Sequence, residues 1–435
     1  MNLAVCLDGV VAGMLVASGG QAVFTYDSAW LNIRGTYPLS ASIPLQTTPV
    51  AGTAVTNFLW GLLPDNDRTL SAWAQEFQVS ARNPAALLSH VGEDCAGAVQ
   101  FVTEERLSAV ISNSRRTEQV EWLTTREFEE RITRLARDGA AGRASTHEGQ
   151  FSLAGAQSKT AFYFDPDSSR WGVPRGRTPT THILKPAVND FDGFAANEHF
   201  CLTLTRKVGL AAASSEWRMI GDVPTLIVER YDRVRTGSRW HRIHQEDFCQ
   251  ALDVHPASKY ENDGGPGFPA LMALLDTTDQ PEVDRERLMR GACLIYLLAA
   301  TDAHAKNFSL LHGRGRTRPS IRLAPFYDIA SAWPYPRTLP KQKLKLAMRV
   351  GTHYRIRDRE ILPRHFMELA RTCRFSPERM REILKELATV LPDEAASLAK
   401  KMGSAGGTGP VLSAIVDGIA SQSALALRYL DPPAR

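Results

Sequence analysis

The sequence predicts an α+β protein of two lobes preceded by a small α+β module. Short β-rich runs broken by turn residues fill the first half, and helical periodicities fill the second. The length of 435 residues, at roughly 150 per domain, makes about three units. Hydrophobic residues at 43% and charged ones at 23% place the chain among ordinary globular proteins and exclude disordered or collagen-like classes. Lys plus Arg is 51 and Asp plus Glu 47, so 51 − 47 gives +4. That is too little for a surface that coats nucleic acid, and any basic function must be local. The six cysteines are scattered singly, with no C-x-x-C pair and no His at zinc spacing, which points to a reducing compartment and a fold without disulfides.

Met1 to Gly19 is apolar but carries Asp8 and lacks a basic leader, so it reads as a strand hairpin turning at Asp8-Gly9 and not as a signal peptide. Residues 1–110 form the α+β module, with strands at Leu3–Leu7 and Ala22–Tyr26 and a stretch punctuated by Pro38, Pro44 and Pro49. Trp122 to Arg137 spaces charges and apolar Phe128, Ile132 and Leu135 as an amphipathic helix, and Gly139 to Gly149 reads as a linker. Residues 111–232 carry strands at Thr181–Lys185 and Pro224–Tyr231 and a helix at Asn197–Val208 closed by Gly209. Residues 233–435 read as helices at Gln245–Leu252, Ala270–Leu275, Val283–Ala300, His365–Leu369, Pro377–Leu391 and Val411–Tyr429, with Gly403–Pro410 as an interhelix loop. The longest apolar stretch near the middle, Ala292–Ala300, is far below the ~20 residues of a membrane span. A cytoplasmic protein with no membrane partner is expected.

Chemistry concentrates in a few places. Asp302 and Asn307 lie five apart directly after the apolar helix. In phosphoryl transfer a carboxylate takes up or orients the proton of the attacking hydroxyl while a nearby amide oxygen holds a metal, and one loop can supply both. Asp and Asn at a helix end also serve as caps and turn formers. Asp328, at the end of an apolar segment beyond a predicted hairpin, offers a second carboxylate for a metal site shared with Asn307; it could equally start a turn. Lys185 ends a strand and Glu198 opens the next helix, the arrangement in which a carboxylate holds a phosphate-binding Lys. The alternative is a surface Lys and a dipole-favoured Glu. Ser152 to Lys159 is a small-residue loop whose backbone N–H groups could cradle phosphates, although it matches no standard phosphate-loop pattern. Gln245-Glu246-Asp247 reads as a helix cap and Asp263 to Gly267 as a loop. Arg371 and Arg374 could meet DNA phosphates from one helix face, or form a solvated face.

The segments FSLAGAQSKTAF, TPTTHILKP, NEHFCL, VERYDR, HQEDFCQAL, KYENDGGPG, ATDAHAKNFS and LAPFYDIASAWP, in this order, resemble the HipA toxin kinases of bacterial toxin–antitoxin systems. SIPLQ (Ser42–Gln46) and GLLPD (Gly61–Asp65) resemble the N-terminal subdomain of the same family. The resemblance implies a protein-kinase-like two-lobed fold of the phosphoinositide-kinase-like variant, with an N-terminal α+β subdomain and an all-helical C-terminal lobe. It implies ATP and Mg²⁺ as cofactors, Asp302 as catalytic base, Asn307 and Asp328 as metal ligands, and Lys185, held by Glu198, as the ATP phosphate contact. It makes Ala154, Gly155, Ala156, Gln157, Ser158 and Lys159 the phosphate-binding loop. Glu229, Arg230 and Tyr231 become the interlobe hinge whose backbone reads adenine, and His304 and Tyr327 line the ATP site. Ser152 matches the family's regulatory autophosphorylation serine. No His-Arg precedes Asp302, and Ile-Ala follows Asp328 where eukaryotic kinases have Phe-Gly.

The implied function is a serine/threonine-protein kinase toxin acting on an aminoacyl-tRNA synthetase, the glutamyl enzyme first, with translation inhibition, growth arrest and persistence as the outcome. The implied partners are a dimeric, HipB-like helix-turn-helix antitoxin and, through it, operator DNA in autorepression. Two other readings stay open: a catalytically silent corepressor in an antitoxin–DNA complex, and a small-molecule or lipid kinase using the same residues.

Overall fold

The computed structural model of the chain describes residues 1–111, 119–137, 152–155, 157–187, 191–237, 239–356, 360–403 and 408–430. The predicted linker Gly139–Gly149 and residues 404–407 of the Gly403–Pro410 loop lie outside them.

Along Gln21–Tyr26, Ala22, Phe24 and Tyr26 point inward, a period of two that makes a half-buried strand. It joins Asn2–Leu7, Val10–Ser18, Val50–Ala51 and Val99–Val102 in an antiparallel five-stranded sheet. The predicted hairpin is present, with Asp8 and Gly9 both at positive φ, as a tight two-residue turn requires. Trp30, Phe58, Leu87 and Phe101 fill the core of this module.

A second, six-stranded sheet runs in the order Ser215–Ile220, Val223–Glu229, His182–Pro186, Thr160–Asp165, Arg170–Pro174, Val120–Trp122. The amphipathic helix begins at Thr125, not Trp122, because Val120–Trp122 pairs with Arg170–Pro174 as an edge strand. Its Phe128 and Ile132 pack on Phe162, Leu184 and Ile227. The helix Phe194–Lys207 packs against the strands Ser215–Ile220 and Val223–Glu229.

The C-terminal lobe is built on Pro281–Leu298, buried on all sides from Leu288 to Leu298 apart from a half-buried Arg290, and therefore a core helix. Pro363–Thr372, Pro377–Met402 and Gly409–Leu430 pack around it. The lobe is mainly helical, but the expectation of an all-helical one needs correction. Two hairpins, Arg233–Thr236 with Arg239–Arg242 and Lys345–Val350 with His353–Arg355, flank its loops. Gln245 and Glu246, expected in a helix, lie in the strand His244–Asp247 of a small sheet with Ser309–Gly313 and Ser320–Leu323. Strands this short carry too few alternations to show a period. Asp247 is the expected cap, in a capping box with Gln250. Glu246 is instead fully buried, accepting from Ser40 Oγ, from the Ala41 N–H at 2.9 Å and pairing with His312 Nε2 at 2.7 Å.

The helix expected to stop at Leu391 runs through Pro392 to Met402. Burial of Leu391, Ala395 and Leu398 carries it past a residue that costs about 3 kcal/mol inside a helix. Gly409–Leu430, with a most apolar stretch of mean hydropathy 1.4, is long and apolar enough to cross a bilayer by length and composition, a longer candidate than Ala292–Ala300. In the fold, Leu412, Ile415, Ile419 and Ala426 form its buried face and it packs on Pro377–Met402.

A buried ionic network ties the N-terminal module to the end of the strand Val223–Glu229. Asp94 accepts from Arg233 Nη2 at 2.9 Å, Arg242 Nε at 3.3 Å and Thr180 N–H at 2.9 Å. Asp232 accepts from Arg230 Nη2 at 2.8 Å and from the Gly97 N–H at 2.7 Å. Gly97, at φ +74, also accepts from Arg233 Nη1 at 2.8 Å, and a Cβ there would stand 2.4 Å from the Gln245 nitrogen. Burial pushes the Asp94 carboxyl up, but three guanidiniums more than reverse this and hold it well below the usual range. Removing one member strands the others as buried charges. Asp94→Ala is therefore expected to cost about 3–5 kcal/mol, and cutting the exposed, solvent-screened Arg235–Asp167 pair far less. Denaturant midpoints of Asp94→Ala and Arg235→Ala measure the difference, and equal midpoints would refute the role given to the network.

Candidate active site

Lys185, in the strand His182–Pro186, donates to Glu198 Oε1 and to Asp328 Oδ1, both at 2.6 Å. One ammonium thus joins a strand, a helix and the segment after Ser320–Leu323. Burial lowers a lysine's pKa, but the two carboxylates reverse this and raise Lys185 above its ordinary value. Asp328 is desolvated as well, yet Lys185 and then Lys159 hold its carboxyl well below the usual range, whereas burial keeps Glu198 raised. Asn197 fixes the geometry: its Nδ2 donates to Ser331 O at 2.8 Å, and its Oδ1 accepts from the Ser331 N–H at 2.8 Å. Asp328 itself adopts φ +58, a left-handed conformation that Asp tolerates better than most residues.

The helix Pro281–Leu298 ends at Ala299, at φ +50, and turns the chain into the loop that carries Asp302. The Asp302 carbonyl accepts from the His304 N–H and from Asn307 Nδ2, each at 2.8 Å. With the Asn307 nitrogen so engaged, its Oδ1 is the oxygen left for a cation. Asp302 Oδ1 accepts from the Tyr260 hydroxyl at 2.5 Å. Although 71% of the Asp302 side chain is exposed, desolvation by the cleft walls, aided by the Asp328 charge, raises its pKa, and the Tyr260 bond pulls it back down. His304 is buried, which lowers its pKa to about 4 and keeps the ring neutral. The Tyr327 hydroxyl donates to Lys306 O at 2.7 Å, bracing the same loop.

All of these groups but Asn197, which lies behind the wall, line one cavity of about 650 Å³, together with Gly61, Asp65 and Ala96 of the N-terminal module. Ala154, Gly155, Gln157 and Lys159 of the predicted phosphate loop line it; Ser158 does not, and Ala156 lies outside the described residues. The loop docks along the module like an added strand: Gly155, at φ +104, bridges Pro64 and accepts from the Asp65 N–H at 3.2 Å. Ser152 is fully buried and donates through Oγ to Leu62 O at 2.7 Å. Lys159 Nζ donates to Ala154 O at 2.6 Å, and burial next to Lys185 holds its pKa down to about 8. Glu229, Arg230 and Tyr231 line the cavity. The N–H groups of Glu229 and Arg230 are bonded to Ser214 O and Thr181 O, so an adenine read there must use other backbone groups of this segment. The Arg230 side chain is committed to the buried network, donating to Thr180, Cys95 and Asp232.

The residues fit Mg²⁺ and a nucleotide triphosphate. Asn307 Oδ1 and Asp328 are hard oxygen donors of the kind Mg²⁺ takes alongside phosphates. Lys185 and Lys159 bring positive charge, and the buried Glu198 Oε2 and His304 Nδ1 have no hydrogen-bond partner among the described residues.

A family model described as the HipA-like C-terminal domain matches residues 151–395. The chain belongs to the HipA family. The HipA N-terminal domain matches residues 3–102 as well. Y4mE of Sinorhizobium fredii, which carries a provisional kinase name, is 36% identical over 349 residues, 79% of this chain and 80% of that protein. The serine/threonine-protein kinase toxin HipA of Shewanella oneidensis is 27% identical over 391 residues, 83% of this chain and 84% of that protein. A solved Shewanella oneidensis complex of HipA, HipB and operator DNA contains a chain of the same fold, with TM-score 0.83 and 22% identity, over 99% of this HipA-family chain and 98% of that one.

Four cleft residues escaped the sequence reading of chemistry: Asp65, Lys259, Tyr260 and Lys306. Each lies inside a segment that carried the resemblance, but Asp65 meets its partners across 194 and 241 positions, a pairing no local spacing reveals. Arg371 and Arg374 are both exposed, but not on one helix face. The helix Pro363–Thr372 ends between them, and Arg374 sits past the cap at φ +51 because Arg285 binds the Cys373 and Arg374 carbonyls.

The burial of Ser152 sets a structural condition on its modification, since a phosphate cannot share the space that its bond to Leu62 occupies. Ser152→Glu is expected to undock residues 152–159, exposing them to limited proteolysis and weakening nucleotide binding. A Ser152→Glu protein with wild-type cleavage and nucleotide affinity would contradict this.

Proposed function

We propose that this chain is an ATP- and Mg²⁺-dependent serine/threonine-protein kinase and the toxin of a toxin–antitoxin pair. The observation that carries the reading is Lys185 held between Glu198 and Asp328 at 2.6 Å on each side, facing the Asp302–Asn307 loop across one cavity. Lys185 and the loop at 154–159 bind and orient the phosphates. Asp302, the most exposed carboxylate of the set, takes the proton of an incoming hydroxyl. Asn307 and Asp328 hold Mg²⁺, which when bound neutralises charge on the phosphates. The Shewanella oneidensis proteins, a relative named a kinase toxin and a solved complex of HipA with HipB and operator DNA, support a HipB-like antitoxin as partner, and we take that antitoxin to be a dimeric helix-turn-helix protein. A net charge of +4 suits a chain that reaches operator DNA through that partner, which supplies base readout. The protein substrate is an aminoacyl-tRNA synthetase, the glutamyl enzyme first, so activity ends in translation arrest. Incubation with labelled ATP and a cell extract, followed by identification of the labelled protein, tests the substrate.

Asp302→Asn is expected to lower the rate by about 10²–10⁴ with nucleotide binding nearly intact, whereas Asp328→Asn also weakens Mg·ATP binding. Near wild-type phosphorylation by Asp302→Asn would refute the assignment.

The pH dependence has a defined sign. Activity needs Asp302 ionised and is lost as pH falls through its pKa, which is raised, so the acid limb lies above the ordinary Asp value of about 3.9. Tyr260→Phe removes a bond that favours the ionised form and should move that limb to higher pH, read from rate–pH profiles of the two proteins.

A further inference from the structure

The segment Lys259–Tyr260 and the residue Lys306 have no part in the mechanism above beyond the Tyr260 bond to Asp302, yet they converge on the cleft. Asp65 of the N-terminal module accepts from Lys306 Nζ at 2.6 Å through Oδ1 and from Lys259 Nζ at 2.7 Å through Oδ2. All three side chains are largely buried, at 12% exposure for Asp65, 3% for Lys306 and 14% for Lys259, and all three line the cavity beside Asp302. Two ammoniums share one carboxylate, so the trio keeps one positive charge. Asp302 has its hydroxyl partner in Tyr260, adjacent to Lys259. Asp247, the other acid that senses Lys306, is pushed up by burial to about 7, so near neutral pH it is partly protonated and offsets only part of that charge. The Asp302 carboxylate feels the Lys259 charge and balances part of it while ionised, so the surplus is largest once Asp302 has taken up a proton, and an anionic phosphoryl group is what would offset it there.

We infer that Lys306 and Lys259 bind the transferring phosphoryl group, and that Asp65 is the positioning residue that aims them. The inference rests on the kinase reading above. In the step concerned, the substrate hydroxyl oxygen attacks the γ-phosphorus, its proton passes to the Asp302 carboxylate, and the bond from phosphorus to the β,γ-bridging oxygen breaks, leaving its electron pair on ADP. Negative charge on the equatorial oxygens is carried furthest from ADP at that moment, on the side where Lys306 follows Asp302 by four residues. Fixed donors aimed at such charge strengthen in the transition state. The N-terminal module thereby contributes directly to the site.

The test uses the full chain and compares binding of ADP alone with ADP plus aluminium fluoride, which mimics the transferring group, in wild type, Lys306→Met, Asp65→Asn and the double variant. Lys306→Met should lower the rate by about 10²–10³ and weaken binding of the aluminium fluoride complex by a similar factor, with ADP affinity and KM for ATP within about twofold. Asp65→Asn should show the same pattern in milder form. The double variant should be no worse than Lys306→Met, because the two act as one unit. Thermal midpoints identify a merely structural clamp: variants that melt earlier but keep the wild-type ratio of aluminium fluoride to ADP affinity overturn the inference. If wild type itself binds no ADP and labels no protein, the kinase reading fails; if wild type is active and Lys306→Met keeps its rate, only this inference fails.

Discussion

The side of the cleft built on Asp65 and on the loop at 152–155 depends on how the N-terminal module is seated, and the seat is the buried charge network around Asp94. Three guanidiniums, two carboxylates and the backbone of Cys95 and Gly97 are bonded to one another there, and Arg242 Nη2 is left without a hydrogen-bond partner among the described residues. Such a network gains little net stability, because desolvating each charge consumes most of what pairing returns. It gains specificity, since few arrangements satisfy every member. The segment Leu62–Asp65 lies on this module, and it both backs the loop at 152–155 and supplies the partner of Lys259 and Lys306. The site is thus assembled from three pieces of chain, none of which holds it alone.

Within the cleft the carboxylates are driven apart by their surroundings. Asp328, against Lys185 and Lys159, stays ionised far into acid, while Asp302 and Glu198 are pushed the other way by desolvation. One fold can therefore keep a permanent anion beside a carboxylate whose proton is easily exchanged, the division of labour that acid–base chemistry needs. Neutral His304 between them adds polarity without charge.

The sequence displays much of this. Apolar periodicity located the long helices, and Asp302, Asn307, Asp328, Lys185 and Glu198 stood out because each sits where an element ends. The misreadings share a cause. Gln245–Glu246 and the small hairpins are too short for periodicity, and Pro392 looked like a stop because local propensity says so while the burial of Ala395 and Leu398 overrides it. Asp65 was invisible as chemistry because its meaning lies in two lysines hundreds of residues away. Lys259 and Lys306 carry no chemical signal of their own in the sequence, and gain one only when the fold removes their solvent.

Gly97 bears on inheritance as much as on structure. Its backbone bonds Asp232 and Arg233 on one side, and the space of its missing Cβ is filled by Gln245 on the other. A side chain there would wedge the N-terminal module off the rest, and no change on one side alone could make room. Gene shuffling that joined this module to the lobes of a distant relative would bring together two surfaces that had diverged separately. Such a recombinant is therefore expected to dock its module poorly unless both surfaces come from one parent.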